Sequence, residues 1–116
     1  MSEDKIYSFI GLAKKAGAVM AGEGLTEMAV KRGKAYLVVI TEDASLNTRK
    51  KIETALFGSN IPMIKFGNKD KLGQRLGKTF FSVISVTDRG FADRIKELIE
   101  QNVDNDNTAH GGGIFE

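Results

Sequence analysis

The sequence predicts a three-layer α/β/α sandwich built around a small mixed sheet of about four strands. Segments with helical spacing of apolar residues alternate with short apolar runs, and the loops between them are brief. Two of the runs, residues 36–40 (YLVVI) and 80–86 (FFSVISV), are nearly all apolar, which is typical of strands covered on both faces. The 116 residues, 41% hydrophobic and 28% charged, fit one globular domain, which we assign to residues 1–101.

The first helix and the strand after it are indicated by spacing and by glycine. Apolar residues recur at i, i+3, i+4 and i+7 in Ile6, Phe9, Ile10 and Ala13. Ser2 is the expected N-cap, and Gly17 follows two lysines as the expected stop. Residues 19 and 20 (VM) then form a very short strand that leads into a glycine turn.

The second helix follows that turn, residues 21–24 (AGEG), where glycine permits backbone conformations that other residues resist. Its apolar stripe is Leu25, Met28 and Ala29. The basic pair at residues 31–32 (KR) and a glycine end the helix. The strand at residues 36–40 comes next.

The alternation continues in the second half of the chain. Ser45 is expected to cap a third helix, and residues 61–64 (IPMI) read as a strand with Pro62 at its start or on a sheet edge. Asn68 is expected to cap a fourth helix. The last helix is expected to begin at Thr87 or Asp88 and to bury one face made of Phe91, Ile95, Leu98 and Ile99.

The composition changes at the end of the chain. Residues 102–116 (NVDNDNTAHGGGIFE) are acidic and glycine-rich, which predicts a disordered tail. From Gln101 onward there are three carboxylates and no basic residue, so the formal net charge of +2 for the whole chain becomes +5 for the rest. A mildly basic domain is compatible with nucleic acid.

Several classes of protein are disfavoured by composition. The chain has no cysteine and its one histidine lies in the tail, which argues against disulfides, thiolate metal sites and His-based catalysis. No apolar run approaches the ~20 residues of a membrane span, and the polar N-terminus is unlike a signal peptide. We therefore expect a monomeric cytoplasmic protein that is not an enzyme and has no metal, cofactor, membrane or small-molecule substrate.

Residues 73–79 (GQRLGKT) resemble a phosphate-binding P-loop, but they are one residue short between the glycines. A P-loop follows a strand and opens a helix. Here a helix precedes the motif and a strand follows it. We interpret Gly77 as a helix C-cap and Lys78 as part of a turn, instead of a nucleotide site.

The best candidate site is the glycine turn with the helix after it. Free N–H groups at a helix start bind phosphate, and glycine lets an RNA backbone come close. A plain turn with a helix cap explains the glycines equally well. Basic residues cluster near helix ends, as phosphate contacts or as a solvated surface, at Lys14, Lys15, Lys31, Arg32, Lys34, Arg49, Lys50 and Lys51.

The loop after the last strand, residues 87–89 (TDR), is a second candidate. In open α/β sheets, ligands gather at the carboxyl ends of strands. Arg89 is the better functional candidate there, because Asp88 is more easily explained as a helix cap.

Taken together, these stretches resemble the ribosomal protein family of archaeal L7Ae and eukaryotic L30e, and most of all its small bacterial members of the YlxQ type. The resemblance is carried by residues 22–45 (GEGLTEMAVKRGKAYLVVITEDAS), by residues 47–52 (NTRKKI), and by residues 77–78 (GK) and 87–91 (TDRGF) around the last strand. It extends over about residues 5–100. It implies an α/β/α fold and binding of structured RNA, ribosomal or non-coding.

In many members of that family the bound RNA is the sharply bent kink-turn. In those members the glycine turn and its helix contact the tandem sheared G·A pairs, and the resemblance implies that the loop after the last strand contacts an extruded nucleotide. With the nearby basic residues, the predicted RNA-binding residues are Gly22, Glu23, Gly24, Leu25, Met28, Lys31, Arg32, Lys34, Thr87, Asp88 and Arg89.

The chain departs from the kink-turn binders at three of these positions. Those proteins typically have Asn and Glu where this chain has Gly24 and Leu25, and often Lys where it has Met28. Asn and Glu can pair with base edges, whereas Gly and Leu cannot. The alternative is therefore a protein-interaction module that has kept the fold, has lost base-specific RNA recognition, and uses Leu25 in an interface.

Overall fold

The structure confirms the alternation and supplies the order of the strands. The computed structural model describes residues 3–78 and 80–111, with side chains as far as residue 102. Its elements are α1 (Glu3–Lys15), β1 (Val19–Ala21), α2 (Glu23–Lys31), β2 (Leu37–Ile40), α3 (Leu46–Leu56), β3 (Met63–Lys65), α4 (Lys69–Leu76), β4 (Val83–Val86) and α5 (Arg89–Gly111). The strands form one sheet in the order β1-β4-β2-β3. β2 and β3 are parallel, and β4 is antiparallel to both β1 and β2, so the expected mixed sheet is confirmed.

The central strand β2 separates two cores. All four of its residues are buried, and successive side chains point to opposite faces of the sheet. Leu37 and Val39 pack in a cluster with α1, α4 and α5, whereas Val38 and Ile40 pack in a cluster with α2 and α3. Helices therefore cover both faces, and the three-layer α/β/α sandwich is confirmed.

The predicted helix caps of α3 and α4 are present. The side chain of Ser45 accepts a hydrogen bond from the backbone N–H of Thr48 at 3.1 Å, and Asn68 accepts one from Lys71 at 2.9 Å. Each cap satisfies a backbone donor that the first helical turn leaves without a partner. These local signals set where both helices begin.

The stretch that resembles a P-loop is the end of α4. Gly77 takes the left-handed conformation, with φ of 82°, and the N–H of Lys78 donates to the carbonyl of Gly73 at 3.0 Å. This is a glycine C-cap. Pro62 lies just before β3 on the edge of the sheet, as predicted for a residue that lacks an N–H donor.

The turn between β3 and α4 is fixed by a buried tyrosine. The hydroxyl of Tyr7 accepts a hydrogen bond from the backbone N–H of Asn68 at 2.9 Å. Gly67 has φ of +71°, and a Cβ there would lie 2.1 Å from the Tyr7 hydroxyl oxygen. Burial raises the pKa of Tyr7 above its ordinary value of 10.0, although the Asn68 hydrogen bond acts in the opposite direction.

Of the predicted apolar stripe of α2, only Ala29 is buried. Leu25 and Met28 are 43% and 40% exposed, and the residues that face the sheet are Thr26, Ala29 and Val30. The threonine is tolerated inside because its hydroxyl reaches the carbonyl of Met20, at 3.5 Å. The buried face of α2 therefore lies one residue further along the helix than the predicted stripe, and it includes a polar residue.

The strand and helix bounds differ from expectation at several ends. β4 begins at Val83 and not at residue 80, and β2 begins at Leu37, which leaves Tyr36 46% exposed. The backbone of α5 continues to Gly111, into the segment expected to be a disordered tail, while Ser2 and residues 112–116 lie outside the described residues. Disorder of the tail stays a prediction. Within the described part, each helix is too short or too polar to cross a membrane.

Candidate nucleic-acid interface

The glycine turn sets the start of α2. Gly22 is the N-cap, with φ of 100°, and its N–H donates to the carbonyl of Val83 at 2.8 Å. A Cβ at Gly22 would lie 3.7 Å from the ring of Phe81, whereas a Cβ at Gly24 would meet nothing within 4 Å. Gly22 is therefore required by its backbone conformation, and Gly24 leaves open space above the first turn of the helix.

The carboxylate of Glu23 is already bound. The Thr48 hydroxyl donates to one of its oxygens, and the ammonium of Lys51 lies 3.5 Å from the other. Lys51 also lies 3.9 Å from a carboxylate oxygen of Glu27. Glu23 thus ties α2 to α3, and a base contact from this side chain would compete with those partners.

The exposed face of α2 is apolar at its centre. Leu25 and Met28 are three residues apart and therefore lie next to each other on the helix surface. Lys31 and Arg32, both exposed, follow at the end of the helix. The face thus runs from open backbone at Gly24, across two apolar side chains, to two cations.

A groove of about 250 Å³ lies at the C-terminal end of this face. It is lined by Met20, Met28, Ala29, Arg32, Lys34 and Thr87. The N–H of Lys34 donates to the carbonyl of Ala29 at 2.9 Å, and that of Thr87 donates to the carbonyl of Ala18 at 2.8 Å, so both segments are held by the backbone. The structure thereby brings together four predicted RNA-binding residues from two distant parts of the chain.

The loop at residues 87–89 lies at the end of the sheet opposite to Gly22. β1, β2 and β3 run in one direction, and their carboxyl ends lie beside the start of α2. β4 runs the other way, so the loop that follows it is at the amino ends of the other three strands. The loop follows the carboxyl end of β4, as expected, but the other three strands have their carboxyl ends at the opposite side of the sheet.

Within that loop the two charged residues have different surroundings. Asp88 accepts a hydrogen bond from the N–H of Phe91 at 2.9 Å and is the cap of α5, as the simpler interpretation predicted. The guanidinium of Arg89 lies 5.9 Å from the centre of the Tyr36 ring.

The eight basic residues do not share one surface. Lys14 and Lys15 belong to α1, which packs on the opposite face of the sheet from α2. Arg49 pairs with Glu53 at 3.0 Å. Lys31, Arg32 and Lys34 lie at or just after the C-terminal end of α2, whereas Lys51 is paired with Glu23 and Glu27 of the same helix.

Sequence reasoning missed the loop between α4 and β4. Phe80 is 55% exposed, and the ammonium of Lys69 lies 5.5 Å from the centre of its ring. Phe81, beside Gly22, places this loop next to the start of α2. An exposed aromatic ring near a cation is a surface on which bases stack. Because phenylalanine favours strands, the sequence predicts that Phe80 and Phe81 belong to a strand, and the exposed position of the Phe80 ring is not evident from it.

Comparison with known proteins agrees with this architecture. The family model for the ribosomal protein L7Ae/L30e/S12e/Gadd45 family matches residues 4–96. The RNA-binding protein YlxQ of Bacillus subtilis (strain 168) is 36% identical over 100 residues, which are 86% of this chain and 100% of that protein. The RNA-binding protein YlxQ of Enterococcus faecium is 35% identical over 99 residues, 85% of this chain and 95% of that protein.

Two solved structures have the same fold. A protein with unknown function from Bacillus halodurans C superposes with a TM-score of 0.77 at 35% identity, covering 83% of this chain and 97% of that one. The 15.5kD RNA binding protein of Giardia lamblia superposes with a TM-score of 0.65 at 21% identity, covering 82% of each chain, a likeness of fold. From the match over residues 4–96 and the identity to the two YlxQ proteins, this chain belongs to the ribosomal protein L7Ae/L30e/S12e/Gadd45 family.

Proposed function

We propose that this protein binds structured RNA, ribosomal or non-coding, through the exposed face of α2 and the groove at its C-terminal end. The observation that carries the proposal is the groove itself. Arg32 and Lys34 line it together with the partly exposed Met28, and none of the described residues in its lining is a carboxylate. Two cations can contact phosphates, while an apolar side chain can pack on a ribose or a base.

The names and family of the relatives support RNA as the ligand. Both YlxQ proteins are named RNA-binding proteins, and the matching family is one of ribosomal proteins. We infer that this chain recognises RNA mainly by backbone shape, because Gly24 has no side chain and Leu25 has no hydrogen-bonding group. A sharply bent RNA such as a kink-turn suits a short helix face flanked by cations.

The proposed role is binding without catalysis. The described residues that line the groove are Met, Ala, Arg, Lys and Thr, and they do not include the histidine or carboxylate that acid–base catalysis most often uses. We also propose that the protein acts as a monomer in the cytoplasm, with RNA or the ribosome as its partner.

A salt titration tests the proposal. Binding to a kink-turn RNA and to a straightened control with its G·A pairs replaced is measured between low and physiological salt. Lys34→Ala should weaken binding to the RNA and lower the slope of log affinity against log salt by about 0.9, the value of one phosphate contact. Lys14→Ala is the matched control, because it removes the same charge from the opposite layer of the fold.

Two results would contradict this placement. One is the same salt slope for Lys34→Ala and wild-type protein. The other is an equal loss of affinity for Lys14→Ala and Lys34→Ala, which would mean that only the total charge matters. Failure of wild-type protein to bind either RNA would remove the RNA proposal altogether.

The protein-interaction alternative rests on Leu25 and Met28. Two adjacent, partly exposed apolar side chains on one helix are also what a protein partner would cover. In that case a partner should co-purify after exhaustive ribonuclease treatment and be lost with Leu25→Glu. Loss of every partner on ribonuclease treatment alone would reject this alternative.

A further inference from the structure

We propose that a groove between α1 and α4 binds an acidic amphipathic helix of a partner protein. This α1–α4 groove lies in the layer of the fold opposite to α2, because α1 and α4 pack on the other face of the sheet. Its lining includes Gly11, Leu12, Lys14, Lys15, Arg75 and Leu76. The inference goes beyond RNA binding through α2 and does not depend on it.

The α1–α4 groove is a depression between two helices that touch at its floor. A Cβ at Gly11 of α1 would lie 3.5 Å from the carbonyl oxygen of Arg75 in α4. Because Gly11 has no side chain, the floor stays lower than the side chains on either side of it. The volume of about 480 Å³ is within the roughly 300–1,000 Å³ of ligand sites. A partner helix can therefore place apolar side chains between α1 and α4.

The centre of the α1–α4 groove is apolar. Leu12 is 54% exposed, although the other aliphatic residues of α1, Ile6, Ile10 and Ala13, are buried. Leu76 of α4 is nearly buried and lines the same groove. A single exposed leucine is ordinary at a protein surface. Leu12 differs because it lies in a concave site, where an apolar side chain of a partner would remove it from water.

The surroundings of Leu12 are positively charged. Lys14, Lys15 and Arg75 line the groove, and none of the described residues of its lining is a carboxylate. The ion pairs found among the described residues do not involve these three cations. Arg75 is also held in place, since its Nη1 donates to the hydroxyl of Ser8 at 2.7 Å. A side chain that is already ordered loses less freedom when it pairs with a carboxylate of a partner.

Helix dipoles alone explain part of this charge. Lys14 and Lys15 lie in the last turn of α1, and Arg75 lies in the last turn of α4, where cations are favourable without any ligand. The dipoles do not explain the exposed leucine between these cations. An apolar centre within a cationic rim is complementary to a helix that carries apolar side chains flanked by Asp or Glu.

The lining favours a protein helix over RNA as the occupant. Phosphates would pair with the three cations, but the described lining has no aromatic ring on which a base could stack. The aliphatic side chains of Leu12 and Leu76 also have no group that pairs with a base edge. An amphipathic helix uses both parts of the groove, with apolar anchors one turn apart on Leu12 and carboxylates on the rim.

The test begins with a displayed library of random peptides of about 16 residues, about four turns of helix, selected on the full chain. Enriched peptides should be acidic, with apolar residues at i and i+3 or i+4, and a synthetic copy is titrated by fluorescence anisotropy. Leu12→Asp should weaken its binding at least about tenfold, because an apolar contact is lost and a like charge is added. Leu46→Asp is the control, because Leu46 is 65% exposed but belongs to α3 in the other layer. It should bind the peptide as wild-type protein does.

Two alanine variants separate this site from the RNA site. Lys14→Ala should lower the affinity for the peptide and its salt dependence, and should leave the affinity for kink-turn RNA unchanged. Lys34→Ala should do the reverse. The peptide and the RNA should also bind wild-type protein at the same time, because α1 and α2 lie in opposite layers. Circular dichroism shows that each variant remains folded.

Three results would overturn the inference. They are a selection that yields no acidic peptide, a selected peptide that binds folded Leu12→Asp as tightly as wild-type protein, and displacement of the peptide by RNA. The last would mean that the groove is an RNA surface. If kink-turn RNA binds while the peptide experiment fails, only this inference is lost. If the peptide binds in the expected way and no RNA does, only the proposed function is lost.

Discussion

Replacing Gly24, Leu25 and Met28 by Asn, Glu and Lys is expected to create, or to strengthen, a preference for kink-turn RNA over a straight duplex. These are the side chains that kink-turn binders resembling this chain carry at the three positions. The structure has room for all of them. A Cβ at residue 24 would meet nothing within 4 Å, and Leu25 and Met28 are partly exposed.

The size of the effect follows from the base-pairing groups that the substitutions add. A well-placed side chain that pairs with a base edge is worth about 1–3 kcal/mol of discrimination. Two such side chains, Asn at position 24 and Glu at position 25, should raise the ratio of kinked to straight affinity by at least about 30-fold. The lysine at position 28 should steepen the salt slope by about 0.9 on both RNAs, because phosphate contacts carry no sequence information.

The assay is a titration of wild-type protein, the triple variant and the Met28→Lys single variant with the two RNAs. The single variant separates charge from base recognition, since it should tighten both RNAs equally. Thermal unfolding should show no loss of stability, because replacing the helical Gly24 removes a glycine that costs up to about 1 kcal/mol.

An unchanged ratio in a folded triple variant would refute the reasoning. It would mean that the first turns of α2 do not face the G·A pairs, and that the RNA site lies elsewhere. A ratio that rises with Met28→Lys alone would show that the added charge, and not base pairing, sets the preference.

Three further predictions concern stability. Gly67→Ala should lower the free energy of unfolding, measured with urea, by about 2–5 kcal/mol. The loss comes from strain in the left-handed backbone and from displacement of the Tyr7 hydroxyl. Wild-type stability of this variant would show that the turn relaxes freely. Burial raises the pKa of Tyr7 in the folded protein. The contribution of Tyr7 to the free energy of unfolding is therefore complete below about pH 10 and is lost as the pH rises through the raised pKa. Tyr7→Phe should remove that alkaline loss of stability. It should also lower the free energy of unfolding at pH 7 by about 1–3 kcal/mol, because the Asn68 N–H loses its acceptor. Tyr36→Phe is the control and should leave the alkaline loss in place. Ser45→Ala should cost about 0.5–2 kcal/mol in thermal unfolding, and no loss would mean that water replaces the cap.

Local signals predicted most of the fold. Ser45 and Asn68 cap the helices that they were expected to cap, and Gly77 ends α4. The run YLVVI is buried on both faces because its strand lies in the middle of the sheet. Such features depend on residues a few positions apart, which a sequence displays directly.

The face of α2 was not predictable in this way. A stripe of Leu25, Met28 and Ala29 is as regular as the true one, Thr26, Ala29 and Val30. The choice between them depends on a long-range partner, the carbonyl of Met20, which makes a buried threonine acceptable. The same applies to Glu23, whose carboxylate is bound by residues of α3 about 25 positions away.

The direction of β4 decides how the predicted residues combine. Sequence alone gives neither strand order nor direction. Because β4 is antiparallel, Gly22 and Thr87 lie at opposite ends of the sheet, and α2 is the element that joins them. Its nine residues rise about 13 Å. One RNA element lying along this helix would therefore contact the open backbone at Gly24 and the cations of the groove together.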